Sequence, residues 1–350
     1  RGTAQDHALA VQYYKMPAEK FYLDANWRLG VLARDGLGMV ADLKEMERRF
    51  LIASRQGDVR AQRALGKAYR NGKFLEQNYE KAISFLNLAI RQQDREAQFI
   101  LAQMLLKGEG GDVNFEDAVF NFRRAADNGH ILAQFTLAEM LHRGTIIKQD
   151  MNEAAYYYEL AALQGHMLSQ YRTAEFYDKG RAGLQDHVRA VKFYELSAKQ
   201  GHVPAQYNLA QLLENGLGVP TDMSKAAFWY KQASDRGDPN ALYALGLMHD
   251  AGRGVSQSYK KAASLYLAAA EKGHIESQIN LGVVFVKGKS SVQNYIQAHM
   301  WFNIAAAQGN NVARNYRDHI AKKMPPKDIS AAQQLAQSCV LKKYIGCSPL

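Results

Sequence analysis

One pattern of apolar, small and polar positions recurs every 36 residues along most of the chain. Eight consecutive copies fit without a gap, at residues 23–58, 59–94, 95–130, 131–166, 167–202, 203–238, 239–274 and 275–310. Within each repeat, numbered from position 1 to position 36, apolar residues have helical spacing over about positions 3–13 and 21–34. The pattern therefore predicts a helix A, a connecting loop and a helix B in every repeat.

Glycine and capping residues mark the ends of these helices. Position 14 is glycine in all eight repeats, and position 35 is glycine in all except one, where Gln93 stands. Glycine just past a helix readily adopts the left-handed conformation that closes the last turn. Position 20 is Asp, Asn or Ser throughout, and all three residue types are good N-caps for helix B.

Small residues recur where two helices must approach each other. Position 3 is Ala or Ser and position 8 is Gly or Ala in every repeat, whereas positions 27 and 28 carry bulky pairs such as Trp229 and Tyr230. Small residues allow close packing of helices, and the bulky groups fill the remaining space. A single repeat has no core of its own, so stability must come from stacked neighbours. We expect an all-α solenoid.

The flanking segments extend the array at both ends. Residues 5–22 align with residues 185–202, so residues 1–22 are interpreted as the second helix of a ninth, incomplete repeat. Residues 311–350 are predicted to form a helical cap. Because the 36-residue register is uninterrupted over 23–310, we expect one continuous array without linkers.

The recurring pattern A-x-x-x-L-G-x-x-[YLH]-x-x-G-x-G-V, followed by D-x-x-K-A-x-x-[WF]-Y-x-x-A-x-x-x-G-[DH], resembles the Sel1-like repeat. This family is related to the tetratricopeptide repeat and has a longer unit. The resemblance covers residues 23–310 and implies a right-handed α-solenoid that works as an adaptor or scaffold. It brings no catalytic residues with it.

The tail "SAAQQLAQSCVLKKYIGC" resembles the tails of exported bacterial Sel1-like proteins. These include a flagellar motor-associated protein and proteins that Legionella uses to enter host cells. Eight residues of unbroken helix span about 12 Å, whereas a disulfide needs Cα atoms within about 7 Å. A bond between Cys339 and Cys347 therefore requires the chain to turn back, which Gly346 permits. Two reduced thiols in a cytosolic protein are the alternative.

Given the tail resemblance, we expect the disulfide, which implies an oxidising compartment and a periplasmic or secreted protein. The chain starts at Arg1 and not at Met, which is compatible with a removed signal peptide.

Composition and charge exclude several classes of function. Hydrophobic residues make up 47% of the chain, but no apolar run reaches the roughly 18 residues that cross a membrane. The net charge is +10, and half of it is carried by residues 311–350. The excess positive charge therefore does not form a continuous stripe along the chain, which nucleic-acid binding would favour. We expect neither nucleic-acid binding nor membrane insertion.

Two features resemble chemical sites. The G-x-G loops, as in "NGLGVP", have no preceding strand, which a phosphate-binding loop requires. Position 36 is histidine in four repeats, but equivalent positions are separated by a packed helix pair, at about 8–10 Å. Ligands of one zinc ion lie about 2 Å from the metal, so these histidines are interpreted as turn residues after helix B. We expect no enzyme, cofactor or metal site.

The predicted binding surface is the concave face lined by helix A, where positions 9 and 12 change in character along the array. The candidate residues are basic Arg34, Lys67 and Arg70, acidic Glu139, Glu175, Asp178, Glu214 and Asp250, and apolar Val283 and Val286. This order predicts a heteropolar track for a polypeptide segment. Ordinary variation of a solvated face is the alternative.

The sequence thus favours a monomeric protein-binding scaffold of an exported bacterial protein, with a role in host-cell invasion or virulence. Two alternatives remain. One is a periplasmic structural component of the flagellar motor or the peptidoglycan machinery, and the other is a regulator of a partner enzyme.

Overall fold

Helices A and B of every repeat are present in the computed structural model, which describes residues 4–19, 22–183, 185–288 and 292–347. Within these residues the chain forms nineteen α-helices and no strand, so the all-α prediction is confirmed. None of these helices is sufficiently long and apolar to cross a membrane. The chain divides into an N-terminal unit, residues 1–166, and a C-terminal unit, residues 167–350.

In the N-terminal unit, each helix packs against the next one along the chain. The helices are α1 (Ala4–Glu19), α2 (Leu23–Asp35), α3 (Leu43–Arg55), α4 (Val59–Asn71), α5 (Tyr79–Arg91), α6 (Arg95–Lys107), α7 (Phe115–Asp127), α8 (Ile131–Arg143) and α9 (Met151–Leu163). Even-numbered helices are A helices, and odd-numbered ones are B helices.

The C-terminal unit continues the same alternation and ends in the cap. Its helices are α10 (Met167–Lys179), α11 (His187–Lys199), α12 (Val203–Asn215), α13 (Met223–Ser234), α14 (Pro239–Ala251), α15 (Tyr259–Ala270), α16 (Ile275–Lys287), α17 (Tyr295–Ala307), α18 (Asn311–Ala321) and α19 (Pro326–Leu341). Both α18 and α19 pack against α17.

The predicted helix ends are confirmed at both columns. All eight glycines at position 14 have φ between 62° and 69°, in the left-handed region. At position 20, every side chain accepts a backbone N–H from the first turn of helix B, as Asp222 does from Lys225 at 2.9 Å. Capping satisfies donors that the helix itself leaves without partners.

Helix A starts about two residues before its predicted start, at position 1. The reason is that the residue at position 36 of the preceding repeat is itself an N-cap. Asp94 accepts from the Ala97 N–H at 2.7 Å, and Asn310 accepts from Ala313 at 3.0 Å. A polar residue that looks like part of a turn thus begins the next helix.

The core of each repeat is the contact between position 8 on helix A and position 28 on helix B. A Cβ atom on Gly246 would lie 2.6 Å from the Tyr266 ring, and one on Gly282 would lie 2.5 Å from the Phe302 ring. Both distances are too short for real atoms. Because position 8 carries at most one methyl group, the side chain at position 28 is fully buried in every repeat.

Glutamines at position 4 link several consecutive repeats by hydrogen bonds, which were not predicted from the sequence. In the N-terminal unit, Gln62 at position 4 donates to the Ser54 carbonyl of the preceding repeat at 3.2 Å and accepts from Gln92 at 2.8 Å. In the C-terminal unit, Gln278 makes the same two bonds with Ala270 and Gln308. These bonds satisfy buried amides at the joint between repeats.

The second glycine of the G-x-G loop has a packing role. Gly218 has φ of 74°, and a Cβ atom there would overlap the backbone of His187 at the start of the preceding helix B. We expect Gly218→Ala to lower the free energy of unfolding by more than about 2 kcal/mol, because left-handed strain adds to overpacking against backbone. Urea unfolding followed by circular dichroism measures the loss.

Gly165→Ala is the matched control for this substitution. Gly165 also has a left-handed φ, of 89°, but nothing lies within 4 Å of its added Cβ atom. Its substitution should cost only the backbone strain, about 1–2 kcal/mol. Equal losses for the two variants would contradict the packing role of Gly218.

Candidate protein-binding site

Three of the five acidic candidates accept a hydrogen bond from the tyrosine at position 28 of their own repeat. The hydroxyl of Tyr158 donates to Glu139 at 2.6 Å, and that of Tyr230 donates to Glu214 at 2.8 Å. A longer contact of 3.4 Å joins Tyr194 to Asp178. Each of these carboxylates therefore lies where the buried ring of helix B reaches the surface of helix A.

The tyrosines stay protonated, which keeps them hydrogen-bond donors. Burial, followed by the negative charge of the nearby carboxylate, raises the pKa of Tyr194, Tyr230 and Tyr266 far above the ordinary value. In the case of Tyr266 the nearby carboxylate is Asp250. The three repeats that span residues 131–238 thus share one arrangement, in which a buried neutral tyrosine donates a hydrogen bond to a carboxylate, whereas the buried hydroxyl of Tyr266 makes no such bond to Asp250.

Sequence reasoning missed this pairing, although a signal was available. Position 28 is tyrosine in the four repeats that carry an acidic residue at position 9 or 12. In the other four repeats, position 28 is Phe or Leu, and position 12 is Arg, Leu or Val. The two columns change together because the ring at position 28 ends beside the helix-A face.

Glu175 differs from the other acidic candidates because it is only 6% exposed. It accepts from Arg172 at 2.9 Å and from Lys179 at 3.1 Å. Burial alone would raise the pKa of Glu175, but these hydrogen bonds outweigh it and hold the pKa below its ordinary value. Glu175 therefore presents little surface to a partner.

The basic candidates are all engaged in ion pairs of the N-terminal unit. Lys67 lies 2.7 Å from Glu96, the guanidinium of Arg70 lies 2.6 Å from Glu109, and Arg34 lies 2.7 Å from Asp35. Of the ten candidates, these three and Glu139 belong to the N-terminal unit, and the other six belong to the C-terminal unit. There, Val283 and Val286 are half-buried against the core.

The histidine column serves capping and packing. His202 accepts the Ala205 N–H through Nδ1 at 3.3 Å, and its ring packs at a tilt against Tyr171 with centroids 4.5 Å apart. His274 caps its helix in the same way and packs at a tilt against Tyr243. In the part of the chain that the structure describes, no group of three or more His, Cys, Asp or Glu side chains is placed to hold a metal ion. The histidines are therefore more than turn residues.

These histidines make the stability sensitive to mild acid. Burial lowers the pKa of His202 and His274 below the value of an exposed imidazole. Since the unfolded chain takes up protons first as the pH falls below about 6.5, folding is disfavoured progressively there. We expect the melting temperature of the double variant His202→Asn/His274→Asn to fall less between pH 7.5 and pH 5.5 than that of the parent.

Asparagine is the appropriate replacement because Asn310 already caps a helix at the same position. The comparison uses the slope of melting temperature against pH, since loss of the ring contacts with Tyr171 and Tyr243 alters stability at every pH. The exposed histidine His319 supplies the control through His319→Asn. Parallel slopes for the double variant and the parent would show that these rings do not couple protonation to folding.

The chain reverses after α19 and closes on itself. Lys343, Tyr344 and Gly346 all have positive φ, of 51°, 69° and 64°, so the turn involves more than the glycine that the sequence indicated. Cys339 and Cys347 form a disulfide with Cα atoms 5.3 Å apart. The Gly346 N–H donates to the carboxylate of Glu271 at 2.9 Å, which anchors the loop to an earlier repeat.

Capped helix pairs of constant length, joined by recurring contacts, define an α-helical repeat protein. The chain belongs to the Sel1 repeat family, whose sequence model matches residues 1–20, 59–94, 95–130, 131–166, 168–202, 203–238, 239–274 and 275–310. Sel1 repeats are generally non-catalytic and mediate protein–protein interactions.

Two solved structures of Sel1-type proteins are similar to this chain. One is a protective antigen of uropathogenic Escherichia coli, which is 27% identical, with a TM-score of 0.62 over 97% of this chain and 81% of the antigen. The other is a Sel1 repeat protein of Oxalobacter formigenes, also 27% identical, with a TM-score of 0.59 over 88% of this chain and 89% of that protein. No curated protein matches the chain.

Proposed function

We propose that the protein is a scaffold that binds a basic segment of a partner polypeptide on the helix-A face of its C-terminal unit. The observation that carries this proposal is the support of Asp178 and Glu214 by buried tyrosines. These two carboxylates occupy position 12 in consecutive repeats, and their side chains are 23% and 20% exposed. They form a short acidic row, and Val283 and Val286 supply an apolar continuation.

The tyrosine support favours binding because it orients the carboxylates before the partner arrives. A side chain that is already fixed loses less conformational entropy on association. Two intramolecular basic groups lie near the row: Arg253 is 46% exposed and lies 3.4 Å from Glu214, and the His187 ring lies 3.1 Å from Asp178. Exposed ion pairs contribute about 0–1 kcal/mol, so a basic side chain of the partner can replace Arg253.

Neutralising the row tests this proposal. The double variant Asp178→Asn/Glu214→Gln keeps an acceptor oxygen for Tyr194 and Tyr230 but removes two negative charges. We expect slower association and a weaker salt dependence, because charge steering acts mainly on the association rate. The measurement is surface-plasmon kinetics at two salt concentrations, with a partner recovered from envelope or host-cell extracts by the parent protein.

The matched control is Glu195→Gln/Asp235→Asn, which removes two negative charges from the helix-B side of the same two repeats. Glu195 lies in α11 and pairs with Lys199, and Asp235 is the C-cap of α13 and pairs with Lys231; both side chains are about half exposed. This control should bind like the parent. If the two double variants bind alike, the acidic row is not the binding face.

We place this scaffold in an exported protein that acts as a monomer at a host or cell-envelope surface, in host-cell invasion or virulence. Two observations support that setting. The disulfide near the C-terminus suits an oxidising compartment. The similar Escherichia coli protein is described as a protective antigen.

The state of the two cysteines tests the setting. Native protein from the source cell, denatured in alkylating reagent, should take up no label at Cys339 and Cys347 until it is reduced. Removing the bond by Cys339→Ala/Cys347→Ala should cost about 2–3 kcal/mol, because a short loop is closed. Mass spectrometry reads the labels, and two labels before reduction would contradict an oxidising location.

A further inference from the structure

A cleft of about 210 Å³ opens in the N-terminal unit between α3 and α4. Its floor is apolar and includes Met46 and Phe50, each 1% exposed. Its rim carries three cations, Arg34, Lys67 and Lys73. An apolar floor with a few convergent polar groups is the usual composition of a ligand pocket.

The cleft exists because two columns of the repeat carry smaller groups here. Position 28 is Phe50, which lacks a hydroxyl, and position 6 of the next repeat is Ala64. At the equivalent place in the C-terminal unit, Asn208 donates a hydrogen bond to the hydroxyl of Tyr194 at 3.1 Å. Because Phe50 has no hydroxyl and Ala64 has no amide, this hydrogen bond is absent from the cleft.

The rim is positively charged, whereas the equivalent place beside Tyr194 carries Asp178. Arg34 and Lys73 lie 6.0 Å and 5.2 Å from the centre of the Phe74 ring, so both cations are close to one apolar wall. Lys73 has no carboxylate within ion-pair distance among the described residues. Among the described residues that line the cleft, none is acidic.

We infer that this cleft binds the C-terminal residue of a polypeptide that ends in an apolar amino acid. The apolar side chain enters the floor, and the terminal carboxylate lies against Lys73 and Arg34. A cavity of about 150 Å³ holds benzene, so the volume suits one branched or aromatic side chain. A C-terminal residue fits because its apolar side chain and its carboxylate are attached to the same Cα atom.

This inference rests on the proposed scaffold function. It adds a second contact with a partner, in the N-terminal unit, where the protein offers cations in place of carboxylates. Arg34 and Lys67 retain their own carboxylate partners in the free protein. Because both pairs are partly exposed, they hold these cations weakly and leave them able to reorient toward an incoming anion.

The test uses defined peptides and the full chain. The probe is a fluorescein-labelled Gly-Ser-Gly-Ser-Gly-Leu hexapeptide, prepared as the free acid and as the C-terminal amide, with fluorescence anisotropy as the readout. We expect the amide to bind about tenfold more weakly than the acid, the scale of one charge-assisted contact. A peptide that ends in Gly should lose about tenfold as well, since the floor stays empty.

Substitutions locate the contact. Lys73→Gln should weaken binding of the acid several-fold and leave the amide unchanged, whereas Ala64→Leu should fill the cleft and abolish both. Lys44→Gln removes a charge from an exposed position outside the cleft and should bind like the parent. Lys73 is exposed on a loop, so its variant keeps the test valid if Ala64→Leu perturbs the fold.

Equal affinity of acid and amide would overturn the inference, as would no binding at about 1 mM peptide or identical behaviour of Lys73→Gln and Lys44→Gln. These results would leave the scaffold proposal intact, because the acidic row is tested separately by Asp178→Asn/Glu214→Gln. Loss of partner binding in that double variant, with no peptide binding here, would refute only the cleft.

Discussion

The close approach of helix A and helix B at positions 8 and 28 is the constraint on which every repeat depends. A glycine or alanine on one helix meets a fully buried side chain on the other, as Gly282 meets the Phe302 ring. Burial of such a side chain stabilises by about 1.5–3 kcal/mol. This gain requires the neighbouring helix to carry almost no side chain, so the two columns are determined together.

The same contact connects packing to the surface. Since the ring at position 28 ends beside the helix-A face, the presence or absence of one hydroxyl group determines the chemistry found there. With tyrosine in the three repeats over 131–238, a carboxylate accepts a hydrogen bond from the hydroxyl, as Glu214 does from Tyr230. With phenylalanine at Phe50, the corresponding place is an apolar cleft rimmed by cations. A core position thus controls what a partner meets.

Polar groups at the joints between repeats complete the fold. The residue at position 36 caps the next helix A, and the glutamine at position 4 bonds to the preceding helix B. At the joints made by Gln62 and Gln278 the buried amide both donates and accepts, which satisfies it, whereas Leu242 makes the same joint apolar in the seventh repeat. Consecutive repeats are therefore fastened by hydrogen bonds of definite geometry in addition to apolar contact, and the register cannot slip without leaving donors unpaired.

The sequence alone determined the helix pairs, their ends and the small and bulky columns, because these depend on local backbone conformation and on a period that recurs eight times. It also indicated which positions of helix A vary. The tertiary structure decided what those residues do. Tyr194 and Asp178 are sixteen residues apart, so only the folding of helix B onto helix A shows that they meet. Likewise, the small size of Ala64 predicts nothing until Phe50 and Lys73 are placed around it, because a cleft is a property of several chain segments together.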